Sequence, residues 1–249
     1  MRKPPFTHAL RSRNVSLNPL YHMNVPETGN SGHRQRLRAR LFEREGSGLL
    51  DHELIEYLLA LAIPRRDTKP LAKALLHQFG GIGGVMAADA EALMRVPGMG
   101  ETSVAAIRIA HATAMRMLAA RVAEQPVLAN WQALIDYLHA DMAHQVSERI
   151  RILHLNTANR LIRDELVAEG SIDQAALHVR EVIRRAIDLG TASMILVHNH
   201  PSGDPKPSRA DIDLTRAIVQ AGKHLGIVVH DHVIIGANGH SSMRAMGLL

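Results

Sequence analysis

The 249-residue sequence has no cysteine. That excludes disulfides, thiolate zinc sites and cysteine nucleophiles, and with them the nucleobase deaminases, which need paired cysteines. Aromatic residues make up only 3%, so packing must rest on Leu, Ile, Val, Ala and Met. Long hydrophobic runs are missing too. The longest, Leu58–Ile63, is flanked by Glu56 and by Arg65-Arg66, far short of the roughly 18 residues that cross a bilayer. The basic start, Met1-Arg-Lys-Pro-Pro-Phe, is not followed by the apolar core of a signal peptide, which predicts a soluble protein of the cytoplasm without a membrane partner.

An apolar fraction of 46% is enough for a real core, in one large domain or two small ones. The net charge of +5 is uneven: residues 1–46 hold nine Lys/Arg against three Asp/Glu. Arg34, Arg36, Arg38, Arg40 and Arg44 crowd one short segment, which suits contact with phosphates and equally suits a solvated basic helix.

Residues 1–30, rich in Pro and Asn, read as a disordered leader, and residues 31–125 as a small all-α domain. Within it, helices are expected over Gln35–Glu45, from an Asp51 N-cap to Pro64, over Thr68–Phe79, over Ala88–Arg95 and from Val96-Pro-Gly98-Met-Gly100 to about Ala123. The Pro-Gly-x-Gly turn opens a helix with backbone N–H groups facing outward, a geometry that suits a phosphate. Gly80-Gly-Ile-Gly-Gly84 reads as a degenerate partner turn. Residues 86–110 resemble helix-hairpin-helix modules that bind DNA backbone, with Gly98 and Gly100 as the contacting turn. Glu101-Thr-Ser stands where those modules carry a basic residue.

A hinge is expected near Pro126, followed by a helix over Val127–Ala140. Residues 126–249 then alternate strand and helix, which predicts an α/β domain with a mixed sheet. Its central strand, Ala192–His198, runs into His198-Asn-His200-Pro-Ser-Gly-Asp-Pro-Lys-Pro-Ser208-Arg-Ala-Asp211. Residues two apart on a strand point the same way, so His198 and His200 address one ion, and Asp211 returns after a proline-stiffened loop. Two imidazoles and a carboxylate leave zinc's fourth tetrahedral position open, as catalytic zinc requires. Ser208-x-x-Asp211 also fits a helix capping box, and two histidines at a strand end also fit a plain surface pair.

His198-x-His200, then seven residues, Ser208, two residues and Asp211 resembles the metal motif of JAMM (MPN⁺) metallopeptidase-like domains. The longer run through Asp211, together with Asp231-His-Val-Ile-Ile-Gly236, is similar to the RadC branch of that group. The resemblance covers residues 127–249 and implies a layered, cytidine-deaminase-like fold binding Zn2+. It also implies hydrolysis of a peptide or isopeptide bond and a link to DNA repair. An upstream glutamate acts as base in that group, and Glu148, just before the first strand, takes the role here, with Glu165, Glu169 and Glu181 as competitors. Ser208 would then hydrogen-bond the water or the oxyanion. Asp231 and His232 would orient a ligand imidazole, or else simply pack behind the site. A non-catalytic DNA- or partner-binding protein and a zinc-dependent nuclease remain as alternatives.

Overall fold

The structure, a computed structural model, describes residues 29–170 and 177–249; of the leader expected over residues 1–30, residues 1–28 lie outside the described residues and the last two already belong to the first helix. Nine α-helices and five strands follow among those residues. Helices α1 (Gly29–Arg44), α2 (Asp51–Ala62), α3 (Lys69–Phe79), α4 (Ile82–Ala87), α5 (Ala90–Met94) and α6 (Glu101–Glu124) form the first half. Helices α2 to α6 enclose a core of Ile55, Leu59, Leu71, Leu75, Val85, Leu93, Val104 and Ile107.

Helix α1 is joined to this bundle largely by polar contacts. Leu37 is its buried anchor, one turn beyond His33, whose Nε2 meets buried Glu56 at 2.8 Å. Arg34 donates to the carbonyls of Ile63, Pro64 and Arg66, which no intrahelical partner satisfies at the end of α2. Arg40 forks onto the Glu53 carboxylate at 2.7 and 2.9 Å and reaches the Gly48 carbonyl. Arg34 and Arg40, two of the five arginines of this segment, are therefore committed within the fold, whereas Arg36 and Arg38 are exposed.

The glycine pair at 80 and 81 also differs from expectation. Gly80 and Gly81 adopt φ of +72° and +120° where α3 ends, and the next residues make α4 in place of a phosphate turn. Within α4, a Cβ on Gly84 would lie 1.8 Å from the Phe79 carbonyl, and one on Gly83 would lie 2.2 Å from the His144 ring. These glycines let α4 press against α3 and against the second half of the chain. Asp51 is likewise not an N-cap. It is the first helical residue of α2, and Glu53 accepts from the Leu50 N–H at 2.9 Å.

The second half comprises a 3₁₀ turn (Val127–Ala129), α7 (Trp131–Met142), β1 (Arg149–Leu155), β2 (Leu161–Glu169), α8 (Val179–Asp188), β3 (Ser193–Asn199), α9 (Arg209–Lys223), β4 (Val228–Gly236) and β5 (Gly239–Ser242). The expected hinge is tied down, because the Val127 N–H donates to Asn159 and both Val122 of α6 and Val127 enter the sheet-side core. The strand order is β2-β1-β3-β4-β5, with β3 and β4 parallel and the other neighbours antiparallel. Leu153, Leu155, Ile195, Val197, Val233 and Ile235 face α7. Ile152, Met194, Leu196 and Val229 face the opposite layer, α8 and α9. All seven residues of β3 are buried, so each aliphatic one contributes about 1.5–3 kcal/mol on leaving water, and the strand's end is held rigidly.

The Arg40 bond holds the Glu53 carboxyl at a pKa of about 2, below the ordinary 4.5. A depressed folded-state pKa gives stability that is complete above about pH 4.5 and lost as the pH falls toward 2. Thermal unfolding between about pH 6 and 2.5 should therefore show a steeper acid-side loss in the wild type than in Glu53→Gln. Parallel curves for the two proteins would contradict the assignment.

Candidate metal centre

Strand β3 delivers His198 on the α9 side, in line with Met194 and Leu196. The chain stays tied to β4 one residue beyond the strand, since the His200 N–H donates to the Ile235 carbonyl at 2.9 Å. The loop then turns at Gly203, at φ +83°, whose N–H returns to the His200 carbonyl at 2.9 Å. It lies flat on the end of β4 because residue 236 is glycine; a Cβ there would stand 2.4 Å from the Gly203 oxygen.

The loop ends in a complete capping box. Ser208 Oγ accepts from the Asp211 N–H at 3.1 Å, and the Ser208 N–H donates to Asp211 Oδ2 at 2.7 Å. The capping carboxylate is the one that joins His198 and His200, so capping and metal binding, which the sequence offered as alternatives, are compatible. Asp211 Oδ1 lies 3.4 Å from His198 Nε2, Oδ2 lies 3.6 Å from His200 Nε2, and the two Nε2 atoms are 2.9 Å apart. The three side chains form a group whose donor atoms lie within 4.8 Å of one another. Tetrahedral zinc, about 2.0–2.1 Å from each donor, separates its ligands by roughly 3.3 Å, so the donors fit such an ion.

The electrostatics agree with a cation-accepting cluster. Burial opposes ionisation of Asp211, but bonds to His198, His200 and Ser208 outweigh it and hold the carboxyl well below its usual range. The Asp211 bond raises the His200 pKa despite partial burial, helped by the Asp204 carbonyl and by the charges of Asp211 and Glu148. His200 Nδ1 lies 2.8 Å from that carbonyl, which can only accept; Nδ1 therefore carries hydrogen, and in the neutral ring Nε2 keeps a lone pair facing the centre. His232 stands behind His198, its Nε2 2.8 Å from His198 Nδ1. Burial pushes the His232 pKa well below its usual value, so this ring is neutral.

Strand register places the glutamate. Ile150 pairs with His198 across the antiparallel β1–β3 ladder, so Glu148, two residues earlier, falls opposite His200. The segment around it is clamped by Asn199, which is 1% exposed: its Oδ1 accepts from the Arg149 N–H at 2.8 Å and its Nδ2 donates to the Ser147 carbonyl at 3.0 Å. The other glutamates are engaged elsewhere. Glu165 pairs with Arg185 at 2.9 Å, Glu169 with Arg149 at 2.7 Å and Glu181 with Arg184 at 2.9 Å. A cleft of about 700 Å³ runs between α3, α4, α6 and the sheet half, lined by Ser147 and Arg149 on either side of Glu148 and by Pro201 beyond His200.

Of the pair expected to orient a ligand, His232 reaches one and Asp231 does not. The Asp231 carboxylate accepts from its neighbour's N–H at 2.7 Å, from Ser242 Oγ and from the Arg244 N–H at 3.0 Å, pinning β5 and the C-terminal turn to β4. Gly98 and Gly100 lie in the α5–α6 turn of the first half, where the Arg66 guanidinium comes within 2.8 Å of the place a Gly98 Cβ would take. Sequence reasoning passed over Asn199. Its signal was a polar residue between two candidate ligands at a strand end, where burial demands partners. It also passed over Thr215, one helical turn past Asp211, whose Oγ1 lies 2.6 Å from His232 Nδ1.

No helix among the described residues is long and apolar enough to cross a membrane. Comparison with protein families matches residues 128–248 to the RadC-like JAB domain. The match contains every residue of the centre, from Glu148 through His198, His200 and Asp211 to His232, and the mixed five-stranded sheet with helices on both faces fits it. Residues 128–248 therefore form a RadC-like JAB domain, the branch of the JAMM (MPN⁺) group that the motifs resemble.

Proposed function

We propose that the protein is a zinc-dependent hydrolase that cleaves a peptide or isopeptide bond at the end of β3. The observation that supports this reading is the β1–β3 register, which carries Glu148 toward His200 on a segment held by Asn199, whereas Glu165, Glu169 and Glu181 are each paired with an arginine. His198, His200 and Asp211 would hold the ion, and bound zinc supplies a Lewis acid that polarises a carbonyl and acidifies water. Glu148 takes the proton of the attacking water and returns it to the leaving amine. The Ser208 hydroxyl, whose own hydrogen is not used in the capping box, donates to the oxygen that becomes negative. The cleft lined by Ser147, Arg149 and Pro201, sequence neighbours of Glu148 and His200, would give a polypeptide access from the side of the helical half.

The same proposal makes the first half a helix-hairpin-helix-like module for DNA backbone, with a role in DNA repair or metabolism. Support comes from the left-handed Gly98, φ +98°, before the α6 N-terminus and from exposed Arg36 and Arg38. Arg34 and Arg40 are withdrawn from the contact set.

Purified protein should carry about one zinc per chain, held by three protein ligands, and His198→Ala with Asp211→Ala should abolish it. Retained metal in that double variant would overturn the ligand set. Glu148→Gln should keep its zinc while hydrolysis of peptide-linked substrates falls by about 10²- to 10⁴-fold; full activity would remove Glu148 as the base. Cleavage of nicked or branched DNA that disappears in His200→Ala would make the bond a phosphodiester. For the first half, binding to duplex DNA should weaken with added salt, and Arg36→Ala with Arg38→Ala should lower the slope of log K against log salt by about 2. An unchanged slope would contradict phosphate contact by these residues.

A further inference from the structure

Thr215 closes a chain of hydrogen bonds that begins at the edge of His198 turned away from His200 and Asp211. Its Oγ1 lies 2.5 Å from the Asp211 carbonyl and 2.6 Å from His232 Nδ1, and His232 Nε2 lies 2.8 Å from His198 Nδ1. All the side chains in this chain are buried, with Thr215 at 1% and His232 at 2% exposure. Inside the protein each hydrogen therefore has to be assigned to one partner of each pair.

The assignment follows from chemistry. A carbonyl oxygen cannot donate, so at 2.5 Å the Thr215 hydroxyl must give its hydrogen to Asp211. Met243 Sδ, 3.6 Å from the same oxygen, is a far weaker acceptor. With that hydrogen used, Thr215 Oγ1 accepts from His232 Nδ1–H. Buried at 2% exposure, with its ring bonded only to Thr215 and His198 and to no carboxylate, His232 carries a single hydrogen; its lone pair is then on Nε2 and accepts from His198 Nδ1–H, which leaves the His198 lone pair on Nε2, aimed at His200 and Asp211. His200 is set the same way by the Asp204 carbonyl.

We propose that Thr215 is a positioning residue of the metal centre: through His232 it fixes the tautomer of His198 that presents a lone pair to the ion. The inference rests on the zinc reading of this site and adds the residue that sets its proton register. Asp211 and Thr215 are four residues apart on one face of α9, so a single helix supplies a ligand and the anchor that prepares another. Without the hydroxyl, His232 Nδ1–H would be buried with no acceptor. The ring then moves its hydrogen to Nε2, donates to His198 Nδ1, and forces the His198 hydrogen onto Nε2, where it occupies the ion's place.

The test uses the full chain, stripped of metal, as wild type, Thr215→Val and Thr215→Ser. Long-range ¹⁵N–¹H spectra of histidine-labelled protein should show His232 and His198 with hydrogen on Nδ1 in wild type and in Thr215→Ser, and on Nε2 in Thr215→Val. Competition of zinc against a chelator should then show affinity about 10- to 100-fold weaker in Thr215→Val and near wild type in Thr215→Ser. Loss of packing alone would lower the melting temperature without exchanging the tautomers. Hydrogen on Nε2 of wild-type His232, or unchanged tautomers in Thr215→Val, would overturn the inference with or without metal. Weakening of Thr215→Ser as large as that of Thr215→Val would also overturn it. Zinc binding that is unaffected by His198→Ala would instead defeat the metal reading, and the tautomer spectra would still decide the chain of bonds.

Discussion

Two imidazole nitrogens, one from His198 and one from His200, approach to 2.9 Å beside a buried carboxylate, and the surrounding structure serves to hold them there. Two lone pairs at that distance repel unless a proton or a metal ion lies between them, so the arrangement stores a demand for a cation. The demand persists because nothing nearby can relax. Strand β3 is buried on both faces, the loop after it is clasped to β4 at Gly236, and Asp211 is locked into the first turn of α9 by Ser208. A rigid frame that fixes donors before the ion arrives reduces the ordering cost of binding.

The layers of the fold divide the labour. The α7 face of the sheet carries packing, through residues such as Ile195 and Val197, and the ion pairs of Arg151 with Asp141 and Asp164, while the α9 face carries His198. The antiparallel neighbour β1 brings Glu148 to the same end, and the parallel neighbour β4 brings His232 behind it. Chemistry thus gathers at the carboxyl end of a buried strand, next to a helix N-terminus, as is general for open α/β sheets.

Much of this centre was legible in the sequence because its residues are close together and their spacing has one structural meaning. His198 and His200 share a strand period, and Ser208 and Asp211 share a helix start. What could not be read depends on partners far along the chain. The capping of α2 by Arg34 spans about thirty residues, and the bidentate grip of Arg40 on Glu53 also crosses a turn; a basic segment gives no sign of which arginines will be used internally. Asp231 and His232 are adjacent yet serve opposite faces, one binding the C-terminal turn and the other a ligand ring. Helix α4 was hidden for a related reason: Gly83 and Gly84 look like a turn until His144 and Phe79 are brought against them.

The central claim is that one ion sits between His198, His200 and Asp211. Diffraction from zinc-loaded crystals on either side of the zinc absorption edge tests it most directly. A single anomalous peak per chain is expected, about 2.0–2.2 Å from both Nε2 atoms and an Asp211 oxygen. A peak elsewhere, or none at this position in fully loaded crystals, would contradict it.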